Sequence, residues 1–153
     1  LDINFDNPLE TLISVKDKIP FFESLTKEEL KQLIEEVRIV TFQNKNIIFV
    51  EGNTTSKYIY YLLSGSINIL KSKNDSESTR IRIQRIEEPS LFGELLVLTG
   101  EPRNATVEAG EDKTLVLAFK IREFEIKTTA AKFYKNVIVE LGKKITAMNK
   151  KIY

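Results

Sequence analysis

Cysteine, histidine and tryptophan are absent from these 153 residues, and methionine occurs once. Without cysteine there is no disulfide and no thiolate nucleophile, a usage that suits a reducing, cytoplasmic setting. Without histidine the commonest general base, the usual zinc and iron ligand and the Ser-His triad are excluded together. Catalysis through carboxylates or lysine remains formally possible, but neither enzymatic activity nor a bound metal is expected. A charge excess is missing too: 23 Lys and Arg stand against 22 Asp and Glu. Net charge therefore draws the chain neither to nucleic acid nor to an acidic membrane. No apolar run approaches the ~20 residues that span a bilayer, and no secretory signal opens the chain. The first residue is Leu1 rather than methionine, as in a fragment of a longer protein.

What is present reads as one domain of ordinary globular composition, long enough to bury a core. The first fifteen residues read as a lead-in segment or short helix. Thr26 and Glu29 have capping-box spacing, and Leu30, Leu33, Ile34 and Val37 follow at helical intervals, with Phe21, Phe22 and Leu25 ahead of them. From Val40 the pattern turns to strands. Ile47–Val50 is a short apolar run before the turn Glu51-Gly52-Asn53, and Tyr58–Leu63 and Ser66–Leu70 look like a hairpin about Ser64-Gly65. Lys71–Thr79 is polar and serine-rich and reads as an exposed loop. Ile81 and Ile83 alternate with Arg82 and Gln84 as in a half-buried strand. Thr106–Ala109 and Thr114–Phe119 are two further strands around Gly110-Glu111-Asp112. Many short strands with regular turns predict a β-sandwich or barrel. From Thr129 onward the pattern is helical: Tyr134, Ile138, Leu141, Ile145, Met148 and Ile152 form an a/d seam, either one amphipathic helix on its own domain or a parallel dimer contact.

The chemistry concentrates in Phe92-Gly93-Glu94-Leu95 and the following Arg103-Asn104-Ala105-Thr106. A glycine before a short helical turn lets backbone N–H groups approach a ligand oxygen closely. Arg103 can fork two donors onto a phosphate diester, a geometry lysine cannot copy. Glu94, the only acid near this cradle, cannot bind phosphate but accepts a hydrogen bond from a sugar hydroxyl. One acceptor for ribose beside one fork for phosphate matches a cyclic nucleotide. Taken singly, each of these residues is an ordinary surface charge; their joint spacing about Gly93 is what carries the reading.

The stretch resembles the phosphate-binding cassette of the cyclic-nucleotide-binding domain family, whose pattern is Phe-Gly-Glu-(Leu/Ile), a short helix, then Arg-x-Ala-Thr. The similarity extends over roughly residues 19 to 125, taking in Phe22–Leu30, Glu51-Gly52-Asn53 and Ser64-Gly65-Ser66. It implies a mainly β fold with flanking helices: a double-stranded β-helix (jelly-roll) barrel with a short N-terminal and a long C-terminal helix. The barrel would occupy residues 1–128 and a lid or dimerisation helix residues 129–153. By the same resemblance Gly93 and Leu95 offer backbone N–H groups and Glu94 takes the ribose 2′-hydroxyl. Arg103 pairs with the cyclic phosphate beside Asn104, Ala105 and Thr106. By position, Ile69, Ile83 and Gln84 line the base and sugar side, and Lys144 or Met148 would supply a lid. The ligand implied is a cyclic nucleotide, cyclic AMP first and cyclic GMP second, with no cofactor and a homodimer through the last helix. Nucleic acid and membrane are not expected partners of this chain alone. Two departures stand out: Pro89 where the family usually has glycine, and Asn104 at a position whose usual residues distinguish the two cyclic nucleotides. The rival readings are a degenerate barrel used for dimerisation, and the sensor fragment of a larger transcription regulator.

Overall fold

The computed structural model of the chain describes residues 2–73 and 76–122, the side chains of 76–78 aside. Two compact units divide the chain: Glu36–Lys120, and separately the residues up to Glu35 with those from Ile121. The C-terminal seam, the lid candidates Lys144 and Met148 and the basic tail lie outside the described residues.

The N-terminal unit opens with helix α1 (Pro8–Val15), where Asn7 accepts from the Glu10 N–H and Pro8 occupies the first turn. A single 3-10 turn, Lys16–Lys18, follows. Phe21 and Phe22 are fully buried and meet edge to face, with ring centres 5.0 Å apart. Helix α2 (Lys27–Leu33) begins with the expected capping box: Glu29 N–H donates to Thr26 Oγ1 at 3.1 Å, and Thr26 N–H to Glu29 Oε1 at 3.0 Å. The helix is shorter than the periodicity suggested. It stops at Leu33, and Ile34 already has an extended ψ of 123°, so Val37 belongs to a strand. The β-branched residues Ile34, Val37, Ile39 and Val40 favour a pleated surface over the helix that their spacing also permits.

Strands β1 (Ile34–Phe42), β8 (Thr114–Ile121), β3 (Ile59–Ser64) and β6 (Leu91–Phe92) form one four-stranded sheet in that order. A second consists of β2 (Ile47–Phe49), β7 (Thr106–Ala109), β4 (Ile67–Lys73) and β5 (Ser76–Ile86). Pairings β3–β6, β3–β8, β2–β7, β4–β7 and β4–β5 are all antiparallel. This is the mainly β, antiparallel architecture expected. Its core consists of Phe49, Tyr60, Leu62, Ile67, Phe92, Val107, Val116 and Ala118.

Two local expectations fail on partner choice. The segments flanking Ser64-Gly65 do form strands, but they do not pair: β3 and β4 lie in different sheets. Gly65 turns that corner at φ +89°, and a β-carbon there would fall 2.6 Å from Thr114 Oγ1 and 2.8 Å from its Cα. Only glycine permits both the conformation and the approach. The polar stretch from Lys71 is likewise no loop. It extends β4 to Lys73 and resumes as β5 at Ser76, the two closing a hairpin in which Lys71 faces Ile81 and Lys73 faces Ser76. Polar residues suit this edge because β5 has a neighbour on one side only. Ile81 and Ile83 are exposed, not half-buried, because β5 meets the core only at its end, through Ile86.

Candidate functional site

β6 delivers the chain to Gly93, whose φ is +73°. A β-carbon here would lie 2.9 Å from Phe49 Cε2 and 3.0 Å from both Arg103 Nη1 and Tyr60 Cδ2. The glycine is thus required by a wall of aromatic carbon and a guanidinium pressed against the backbone. Beneath it, Phe49, Tyr60 and Phe92 stack on one another, with centroid separations of 5.3 Å for Tyr60–Phe92 and 5.6 Å for Phe49–Tyr60. Glu94, only 4 % exposed, precedes the five-residue helix α3 (Leu95–Thr99), which ends at Gly100. The short apolar stretch of the cassette is therefore helical, with Leu96 turned inward.

Arg103 returns to this point from the far end of the cassette. Its backbone is pinned to the turn after β2: the N–H donates to the Asn53 carbonyl at 3.0 Å, and its carbonyl accepts from Gly52 N–H at 2.7 Å. The side chain is buried, 4 % exposed. Nη2 donates to the carbonyls of Ser56 and Tyr58, both at 2.8 Å, and Nη1 donates to the Gly93 carbonyl. The guanidinium carbon stands 4.3 Å over the Phe49 ring and 5.9 Å from the Tyr60 centroid. Nε is buried with no hydrogen-bond partner. Burial pulls the arginine pKa below its ordinary value, and Tyr60 opposes that pull. The group stays charged, since arginine does not lose its proton in proteins.

The structure therefore brings Gly93 and Arg103 into direct contact, with Phe92 stacked on Tyr60 beside them and Glu94 and Leu95 next in the chain. Asn104 is exposed, and its carbonyl accepts from Lys71 Nζ. Ala105 and Thr106 are buried, and Thr106 Oγ1 accepts from the Glu51 N–H at 2.9 Å. Ile69 packs on the core, whereas Ile83, 59 % exposed, does not. Gln84 borders a shallow depression that runs on to Glu88.

Three further residues of this neighbourhood escaped the motif. Phe49 and Tyr60 form the face beneath the guanidinium, and their places in alternating strands were the available signal. Lys71 continues the alternation Ile67, Ile69, Lys71, a signal masked by the polar composition that follows. Among the described residues no group of three or more Asp or Glu side chains could hold a metal ion, and no helix is long and apolar enough to cross a membrane.

A family model described as the cyclic nucleotide-binding domain matches residues 39–126. Among solved structures, the chain is similar to the catabolite activator protein of Thermus thermophilus, with a TM-score of 0.65 and 21% identity over 87% of this chain and 61% of that one. It is similar to the regulatory domain of Toxoplasma gondii protein kinase A, solved with cyclic AMP: TM-score 0.66 and 19% identity over 92% of this chain and 50% of that one. A third likeness is the regulatory subunit of a cyclic-AMP-independent protein kinase A from Trypanosoma brucei, with TM-score 0.67 and 21% identity over 95% of this chain and 52% of that one. The chain thus spans between half and about three fifths of these relatives.

Proposed function

The chain belongs to the cyclic nucleotide-binding domain family, and on that premise we propose that it is a regulatory module that binds a cyclic nucleotide without catalysis. The observation that carries this reading is the buried Nε–H of Arg103, which has no acceptor, whereas Nη1 and Nη2 of the same guanidinium donate to backbone carbonyls. An orphaned buried donor costs about 1–3 kcal/mol, more when charged. A phosphate oxygen that reached Nε in the ligand-bound arrangement would relieve that cost. Phe92, Gly93, Glu94 and Leu95 supply the near wall of the pocket, Glu94 taking the ribose 2′-hydroxyl. Arg103 with Asn104, Ala105 and Thr106 supplies the phosphate side, and Ile83 lies towards the base. Signal output passes through residues 129–153, acting as lid or homodimer seam in a cytoplasmic protein. A ligand can shift that output only by its differential affinity for two arrangements.

One observation favours a second reading. Three backbone carbonyls already hold the Arg103 guanidinium, as they would in a barrel whose cassette is structural and whose role is association. The Trypanosoma brucei relative, by its name cyclic-AMP-independent, carries a similar fold. Calorimetric titration with cyclic AMP and cyclic GMP, using 5′-AMP as control, separates the two. Saturable binding of a cyclic nucleotide supports the sensor. The absence of heat and of any thermal shift supports the structural barrel.

A further inference from the structure

The inner face of β4 runs from the core to the rim of the cassette. Ile67, Ile69 and Lys71 alternate and so share one side of the strand. Ile67 is fully buried and Ile69 packs on the core, which places Lys71 at the end of an apolar row. Its ammonium donates to the Asn104 carbonyl and stands 3.7 Å from Glu51 Oε2. Glu51 is itself oriented, its Oε1 accepting from the Ser72 N–H at 3.1 Å. A lysine so placed is braced beside the residue that follows Arg103. With three N–H donors, one on the Asn104 carbonyl and one towards the Glu51 carboxylate, it retains a donor for a ligand.

Directly across the ladder from Lys71 is Ile81, 49 % exposed, and beyond it Ile83, 59 % exposed. Ile69 pairs with Gln84 and Leu70 with Arg82, so Ile83 is the extra residue of a bulge and has no partner across the strand. Two large apolar side chains are thus left uncovered on one short stretch of β5, the first of them paired across the ladder with the residue that carries the braced ammonium. That combination suits a nucleobase, which offers an apolar face and a polar rim.

Building on the cyclic-nucleotide reading, we infer that Lys71 determines base specificity and selects a 6-oxopurine over adenine. Phosphate and ribose are taken by Gly93, Glu94, Leu95 and Arg103, so the part of the ligand left to meet Lys71 and the two isoleucines is the base. An ammonium can only donate. Guanine and hypoxanthine present two acceptors, O6 and N7, on one edge, whereas adenine sets the N6 amino donor beside N7. Lys71 therefore gains a full contact with the first pair and meets a like donor on adenine.

The test is calorimetric titration of the full chain with cyclic GMP, cyclic IMP and cyclic AMP, on the wild type, Lys71→Met and Lys71→Arg. Expected is binding of cyclic GMP and cyclic IMP roughly tenfold tighter than cyclic AMP, the scale that one good base contact supports. Lys71→Met brings the three affinities together, chiefly by weakening the two 6-oxopurines, and Lys71→Arg retains the preference. A wild type that prefers cyclic AMP, or shows no preference, overturns the inference and leaves nucleotide binding intact. So does Lys71→Met weakening all three ligands alike with a lower Tm, which would make Lys71 a brace between β4 and the cassette. No binding of any of the three overturns the function itself and this inference with it.

Discussion

The Arg103 guanidinium lies 4.3 Å above the Phe49 ring, although the two residues are separated by the whole of β3, β4, β5, β6 and α3. A cation held against an aromatic face away from water is attracted to it by about 2 kcal/mol or more, against 0.5–1 at exposed sites. Phe49→Leu keeps apolar volume but removes the face, so a loss of about 1–3 kcal/mol in urea unfolding is expected. A double-mutant cycle with Arg103→Met should show coupling of about 0.5–2 kcal/mol. Strict additivity would mean that the ring only fills space.

Arg103 has a structural and a proposed ligand role, and two substitutions separate them. Arg103→Ala strands the carbonyls of Ser56, Tyr58 and Gly93, and should cost about 2–5 kcal/mol of nucleotide binding as well as stability. Arg103→Lys keeps the charge but cannot reproduce the fork. It should fold with a reduced Tm and bind at least roughly tenfold more weakly. Unchanged affinity in a folded Lys variant would remove the phosphate assignment.

At Gly93 the strain is both conformational and steric. Gly93→Ala must hold φ near +73° and place a methyl 2.9 Å from Phe49. A loss of at least about 1–3 kcal/mol follows from the backbone alone. Denaturant unfolding of this variant measures it, and wild-type stability would show that the backbone relaxes elsewhere.

Tyr61, on β3, is buried, and desolvation raises its pKa above the ordinary value of about 10. The ionised form is disfavoured in the folded state, so unfolding releases a proton more readily than the native state does. Stability from this group is full below the unfolded pKa and declines as pH rises through about 10 and beyond. Thermal melts between pH 8 and 11 should show that decline, and Tyr61→Phe should remove this part of it. An identical decline in the Phe variant would assign it to other groups.

Local chemistry was legible wherever neighbours in sequence complete it. The capping box of Thr26 and Glu29 is closed within four residues. Gly93 and Arg103 were recognisable from spacing, as were most strands from alternation. Partner choice was not legible. Alternation says which face a strand buries but not which strand lies beside it, so Ser64-Gly65 read as a hairpin until the contact with Thr114 showed a corner between sheets. Lys71 was hidden for a related reason. Its meaning comes from Asn104, Glu51 and Ile81, all remote in sequence.

By itself the sequence determined the residue types that the proposed ligand chemistry draws on, the absence of histidine and cysteine side chains, and the family motif around Gly93. These follow from composition and short-range spacing. Only the tertiary structure decided that Arg103 turns into the barrel, onto the carbonyls of Ser56, Tyr58 and Gly93 and the face of Phe49. A buried guanidinium takes whichever acceptors the fold brings within reach, and those acceptors are backbone carbonyls, which every residue carries and no sequence pattern marks.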